Sequence, residues 1–427
     1  MRIIISSLFI LLFTQCTFDK FSEKDYSSEA TLKSERELFY DRSVNQTINQ
    51  SFQIKLTDST ENKFQSAFWA MELTQYRSDF TDSVIKYIWN DLEIRSNSFQ
   101  RAYLEVIYTL FQNEFNAEVL RFAQLTDDPK LFAMCINYLR NTDLDLLGMT
   151  ESFRKRVVQS SNLSAGKAGH PIIQMLEYKL ADSKETIPPL VDLLKFNFGS
   201  DNTIVFSFQR KNRDHPGISV IRKPDGKFLR ELDGELFHIP HLARAVTNLP
   251  GYITNGNTPQ GIFSIHSIGF SKNVFIGPTP NLQMVLPYEV SPVFYFHNEV
   301  SDTIWNKDYY KNLLPASWKN YFPIYEAYYA GKAGRNEIIA HGTTIDPDFY
   351  SGRTYHPFTP SLGCMTTKEI WSSETGKILE SDQIKFMNAF HKAGSDKGFL
   401  ILVEIDNNTE PVNIDEIKPY IIQAEKE

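Results

Sequence analysis

The apolar residues of this chain change period once, near residue 187, and that change limits what it can fold into. Upstream the period is helical. Phe64, Ala67, Phe68 and Met71 fall at i, i+3, i+4 and i+7, and Phe99, Ala102, Tyr103, Val106, Ile107, Leu110 and Phe111 repeat the pattern. Val84, Tyr87 and Ile88, then Leu131, Met134, Cys135 and Tyr138, mark further short helices, and Asp128-Pro129 reads as a helix start. Downstream, Thr203 to Phe208, Gly217 to Arg222, Gly261 to Ile265, Val293 to Phe296, Glu337 to Ala340 and Phe399 to Ile405 read as short strands. One helix fits Asp382 to His391 among them. Ile187-Pro188-Pro189 is the boundary. The fold expected is α+β: an α-helical domain over 37–186, with hairpins stacked in a solenoid-like way, then a mostly β domain over 187–427, a sandwich or open barrel. At 427 residues, two domains suit the length.

Composition narrows the functional classes. A chain that is 42% hydrophobic and 22% charged is neither disordered nor fibrous. Its net charge of −8 gives no basic face for nucleic acid. Met1-Arg2 precedes an apolar run from Ile3 to Phe13, too short to span a bilayer, which ends in Phe13-Thr14-Gln15-Cys16. That ending resembles a bacterial lipoprotein signal, although Gln15 stands where a small residue is usual. The resemblance implies a signal peptide over 1–16, lipid on Cys16, membrane attachment through that lipid and a cell-envelope location. Simple secretion and an uncleaved anchor are the alternatives, and both also place the bulk of the chain outside the cytoplasm. Residues 17–36, with Asp19, Lys20, Glu23, Lys24, Asp25 and Glu29, read as a polar tether.

Three cysteines provide no disulfide framework. Cys135 lies on an apolar helical stripe and reads as a small buried hydrophobe. No CxxC or HExxH spacing suggests a metal, and no cofactor is implied.

Cys364 reads differently. Ile338-Ile339-Ala340-His341-Gly342-Thr343 is an apolar strand ending in a histidine, and Ser361-Leu362-Gly363-Cys364-Met365-Thr366 follows. A cysteine after a glycine in a turn is accessible, and its turn can aim backbone N–H groups at one point, as an oxyanion hole requires. An imidazole within reach converts the thiol into a nucleophile and later protonates a leaving amine.

A third segment, Thr258-Pro259-Gln260-Gly261-Ile262-Phe263-Ser264-Ile265, precedes these two. A TPxGxFxI strand, then HGT, then S-x-G-C, in that order, is similar to the catalytic domain of YkuD-type L,D-transpeptidases, over roughly residues 187–420. The resemblance implies a β-sandwich bearing the site at one end. It implies Cys364 as nucleophile, His341 as general base, and Gly363 and Cys364 N–H groups as the oxyanion hole. Ser361 would shape the cysteine turn, and Gly342 and Thr343 the histidine's strand end. The chemistry implied is acyl transfer on peptidoglycan stem peptides through a thioester. On that reading the 187–427 half acts without the helical half, whose partner is not identified.

The chain departs from the family's pattern twice. The interval between His341 and Cys364 is longer than usual, and its insertion, Ile345 to Pro360, offers Arg353, Tyr355 and His356 as substrate contacts, His356 also as a rival base. Thr366 stands where Arg or Asn is common, and it cannot grip a carboxylate in two places. Arg353 is the candidate to replace that contact. The alternatives to a transferase are an L,D-carboxypeptidase or endopeptidase using water, and a degenerate envelope lipoprotein that only binds.

Overall fold

The computed structural model describes residues 19–159, 166, 169–181, 185–199 and 201–426. The signal peptide and Cys16 lie outside the described residues. The architecture is α+β: a helical region followed by a mostly β region. The helices Glu61–Thr74, Asp79–Ile88, Asn97–Leu110, Asn116–Leu125, Pro129–Tyr138 and Leu146–Gln159 follow one another through short connections, and the helix Pro171–Leu180 comes later in the chain. Their starts are chemically marked. Ser78 and Thr81 form a reciprocal capping box, and the Asp128 carboxylate accepts the Lys130 and Leu131 N–H groups at 2.8 and 3.0 Å. The predicted stripes face inward at Phe68, Phe99, Tyr103, Val106 and Cys135, which are fully buried, whereas Tyr87 of the Val84-Tyr87-Ile88 stripe is exposed. Burying each large side chain stabilises the fold by about 1.5–3 kcal/mol. Burial also pushes the Cys135 thiol far up, so it stays protonated.

The β region is built on strands β1 (Thr203–Arg210), β2 (Gly217–Arg222), β3 (Ile239–His241), β4 (Gly261–Gly269), β5 (Asn281–Val285), β6 (Ala340–His341), β7 (Met365–Thr366), β8 (Glu369–Trp371), β9 (Ile378–Ser381) and β10 (Gly398–Asp406). Eight form one mixed sheet in the order β3-β2-β1-β10-β4-β5-β6-β7, parallel at β1–β10 and β6–β7. The sheet curls nearly shut. Leu242, just past β3, exchanges backbone hydrogen bonds with Thr366 of β7 at 2.8 and 2.9 Å. Alternation along the strands then separates two cores. Val205, Phe263, Ile265, Met284, Ala340, Met365 and Leu400 face the Asp382–Lys392 helix, which fills the concave side with Phe386, Met387 and Phe390. Phe206, Phe208, Ile262, Phe399 and Ile401 face outward into a core that runs without a break into the helical region. The helical region runs past 187 through a helix at Leu190–Lys195 before β1 begins at Thr203, and the packing is continuous across it.

Three expectations need correction. Val293 to Phe296 is not a strand: Ser291 caps, Pro292 begins, and a short helix runs Pro292–Tyr295. Glu337 has a left-handed backbone (φ 59°), so the strand expected from there begins only at Ala340. The described part of the 17–36 segment is also no free spacer. Phe21 is buried, and Asn388 holds both its N–H and its carbonyl at 2.9 Å. Ser28 donates to the Gly376 carbonyl at 2.8 Å. One apolar anchor and satisfied backbone groups suffice to dock a segment that reads as polar.

Candidate active site

β6 and β7 pair Ala340 with Met365 and His341 with Thr366. Ala340 and Met365 point into the concave core, so His341 lies on the opposite face of β6, and Cys364 sits in the turn that leads into β7. That face opens into a cleft of about 460 Å³ lined by Cys364, His341, Ser361, Arg335, Asn255 and, from the helical region, Glu72. The Ile339 N–H approaches Cys364 Sγ at 3.5 Å, and the thiol donates to the Glu337 carbonyl at the same distance.

The turn carrying Cys364 is fixed from three sides. Ser361 Oγ accepts the Gly363 N–H at 3.0 Å and donates to the Cys364 carbonyl at 2.9 Å, closing the turn on itself. Thr258 Oγ1 donates to the Gly363 carbonyl at 3.0 Å. Gly363 has φ +115°, and a Cβ there would meet Arg335 Nη2 at 2.1 Å and the Gly256 carbonyl at 2.5 Å. Only glycine fits. Gly261 has a similar reason: a Cβ would strike Ala327 at 2.6 Å and the Tyr310 hydroxyl at 2.7 Å. Thr258 and Gly261 of the TPxG segment thus hold the cysteine turn and admit the helix behind β4. The Gly363 N–H, assigned to the oxyanion hole by the resemblance, is engaged by Ser361. The Cys364 N–H makes no hydrogen bond among the described residues.

His341 is buried, and its Nδ1–H donates to the Gly342 carbonyl, leaving Nε2 as the acceptor nitrogen. Burial pushes the imidazole down to about 4, against the opposing pull of that hydrogen bond. The ring is therefore neutral at pH 7. Burial raises the Cys364 thiol, while the Ile339 N–H and the Arg335 guanidinium pull it back.

Gly342 and Thr343 lie behind the cleft. A Cβ on Gly342 would sit 2.2 Å from the Glu369 carboxylate, whose Oε2 accepts the Thr343 N–H at 2.9 Å and whose Oε1 accepts the Ser381 hydroxyl at 2.8 Å. Burial pushes this carboxyl up to about 7, against those bonds.

The other residues singled out in the sequence do not converge on the cleft. Thr366 is buried and donates to the Thr359 carbonyl at 2.7 Å. Tyr355 is buried beneath the Arg244 guanidinium, 4.8 Å from its ring centroid. His356 is exposed and is not among the cleft residues. Arg353 reaches away to Gln75 Oε1 at 3.0 Å, and Tyr350 donates to the Leu73 carbonyl at 3.1 Å. The insertion thus clamps the helical region onto the β region. From it only Ile345 and Pro360 line the cleft.

Sequence reasoning missed three groups. Arg335 is buried under the cysteine turn, donating to the Gly251 carbonyl, to Asn257 O at 2.8 Å and to Gly256 O at 2.6 Å. Nothing in Gly334-Arg335-Asn336 distinguishes it from a surface arginine. Glu369 opens β8 beside Lys368 and reads as solvated. Glu72 lies on a helix far upstream, and only its place between Met71 and Leu73 hints at burial. No family model, no curated protein and no solved structure matches this chain.

Proposed function

We propose that this chain is a cysteine-dependent acyltransferase working on peptidoglycan stem peptides, in the manner of the L,D-transpeptidases its motifs resemble. One observation carries the reading: a thiol in the turn that leads into β7 and a neutral imidazole at the end of β6 line one cleft. His341 Nε2 takes the Cys364 proton as sulfur attacks the carbonyl of the third stem residue. The Cys364 N–H stabilises the oxyanion. The imidazolium returns its proton to the D-Ala nitrogen, which leaves, and a thioester remains on Cys364. An acceptor then attacks the thioester and releases the thiol. Lipidation at Cys16 would hold this chemistry at the cell envelope. The test is mass analysis of purified muropeptides incubated with the protein. Loss of D-Ala with new cross-linked or exchanged products supports the proposal, and unaltered muropeptides refute it.

A further inference from the structure

The Glu61–Thr74 helix places one unpartnered carboxylate in the cleft. Glu72 is 3% exposed and lines the same cavity as Cys364 and His341. Within the described residues, no hydrogen bond or ion pair reaches its carboxylate. Its neighbour Glu105 differs, accepting from Asn255 Nδ2 at 3.2 Å and pairing with Arg101 at 3.5 Å. The helix end is held firmly. Tyr350 binds the Leu73 carbonyl, and the Trp69 ring packs edge-on against Phe275 at 5.4 Å. A buried carboxylate without a partner is costly unless a ligand completes it.

Proton balance says what that ligand is. In acylation His341 takes one proton from Cys364 and returns one to the leaving amine, so the thiol–imidazole pair closes on itself. An amine acceptor reaches the thioester as an ammonium and must lose a proton before its nitrogen can attack. His341 is then needed to carry the second N–H proton to the departing sulfur. The first proton needs another base. The Arg335 guanidinium stays protonated and donates to three carbonyls, and Glu337 is exposed at the rim, where water screens it.

We propose that Glu72 binds a primary ammonium as the acyl acceptor and takes its surplus proton, so that the helical region selects transfer to an amine over hydrolysis. The inference rests on the acyl-enzyme of the preceding section. Glu72–COO⁻ and R–NH₃⁺ give Glu72–COOH and R–NH₂. The nitrogen forms the amide bond as the carbon–sulfur bond breaks, His341 moves the second proton to sulfur, and Glu72 releases its proton to solvent. Burial and the Glu105 charge raise the Glu72 carboxyl well above the usual range, against the pull of the Arg101 guanidinium, and a bound ammonium adds to that pull toward the ionised form.

The experiment uses the full chain, a tetrapeptide-stem donor and two acceptors. Glycine amide arrives largely as an ammonium, whereas the nitrogen of hydroxylamine is already neutral near pH 7. Acylation of Cys364 is read first, by intact mass, then the ratio of aminolysis to hydrolysis product. Glu72→Gln keeps the side chain's size, and its product ratio is read only on enzyme that has acylated. It should lower the glycine-amide ratio about 10²-fold, the usual effect of losing a general base, and leave the hydroxylamine ratio near wild type. An unchanged glycine-amide ratio overturns the inference, as does an equal fall for both acceptors, which would mean displaced packing. Wild-type protein that never acylates refutes the acyltransferase reading itself.

Discussion

The Thr258 hydroxyl donates to the Gly363 carbonyl at 3.0 Å, tying the approach to β4 to the turn that presents Cys364. Thr258→Val preserves shape and removes the donor. We expect a loss of about 1–3 kcal/mol, the cost of a buried acceptor left short of a partner, and slower acylation as the turn loosens. Denaturant titration with a single-turnover acylation rate checks this. A variant equal to wild type in both would mean that the contact does not position the cysteine.

The Arg335 guanidinium is the positive charge that opposes desolvation of the Cys364 thiol. Arg335→Met removes that charge and orphans the carbonyls of Gly251, Gly256 and Asn257. The pH profile of iodoacetamide alkylation at Cys364 should move to higher pH, with Arg335→Lys between the variant and wild type. An unmoved profile in folded Arg335→Met would show that the guanidinium serves packing alone.

Glu369 gives stability a pH dependence of definite sign. Its folded value of about 7 lies above its ordinary 4.5, so the folded state binds the proton more tightly than the unfolded chain. That contribution is complete below pH about 4.5 and is lost as pH rises through 7. Glu105, also raised to about 7, adds in the same direction. His341, held down to about 4 by burial, works in the opposite direction up to pH about 6.5, so the Glu369 contribution is read as a difference: between pH 5 and pH 8 the wild-type denaturation midpoint should fall relative to that of Glu369→Gln. A wild-type midpoint that climbs relative to the variant over the same range contradicts this environment for Glu369.

Much of this was legible in the sequence, for physical reasons that differ by element. Period reported the helices correctly because Phe64, Phe68, Phe99 and Tyr103 repeat on one face and are all buried. The motif strands brought Cys364, His341 and Ser361 to one cleft because local turn chemistry fixes them. Arg335, Glu369 and Glu72 escaped because burial of a charge is decided by distant segments. The same long-range packing joins the two halves: Phe206, Phe208, Phe399 and Ile401 share a core with the helical region. A 187–427 fragment, expected from the sequence to act alone, should therefore expose this face and fail to give a cooperative thermal transition. A soluble fragment that melts cooperatively and acylates would show the core to be separable after all.

The central claim is that Cys364, activated by His341, forms the covalent bond to substrate. Intact-protein mass spectrometry after mixing with a tetrapeptide-stem donor or a carbapenem tests it most directly. The account predicts a single adduct on Cys364, none in a folded Cys364→Ala variant, and acylation slowed by about 10²-fold or more in His341→Ala. That deficit should shrink at higher pH, where hydroxide makes the thiolate, while His356→Ala remains near wild type. An adduct that persists in Cys364→Ala, or its absence from wild-type protein, would contradict the account.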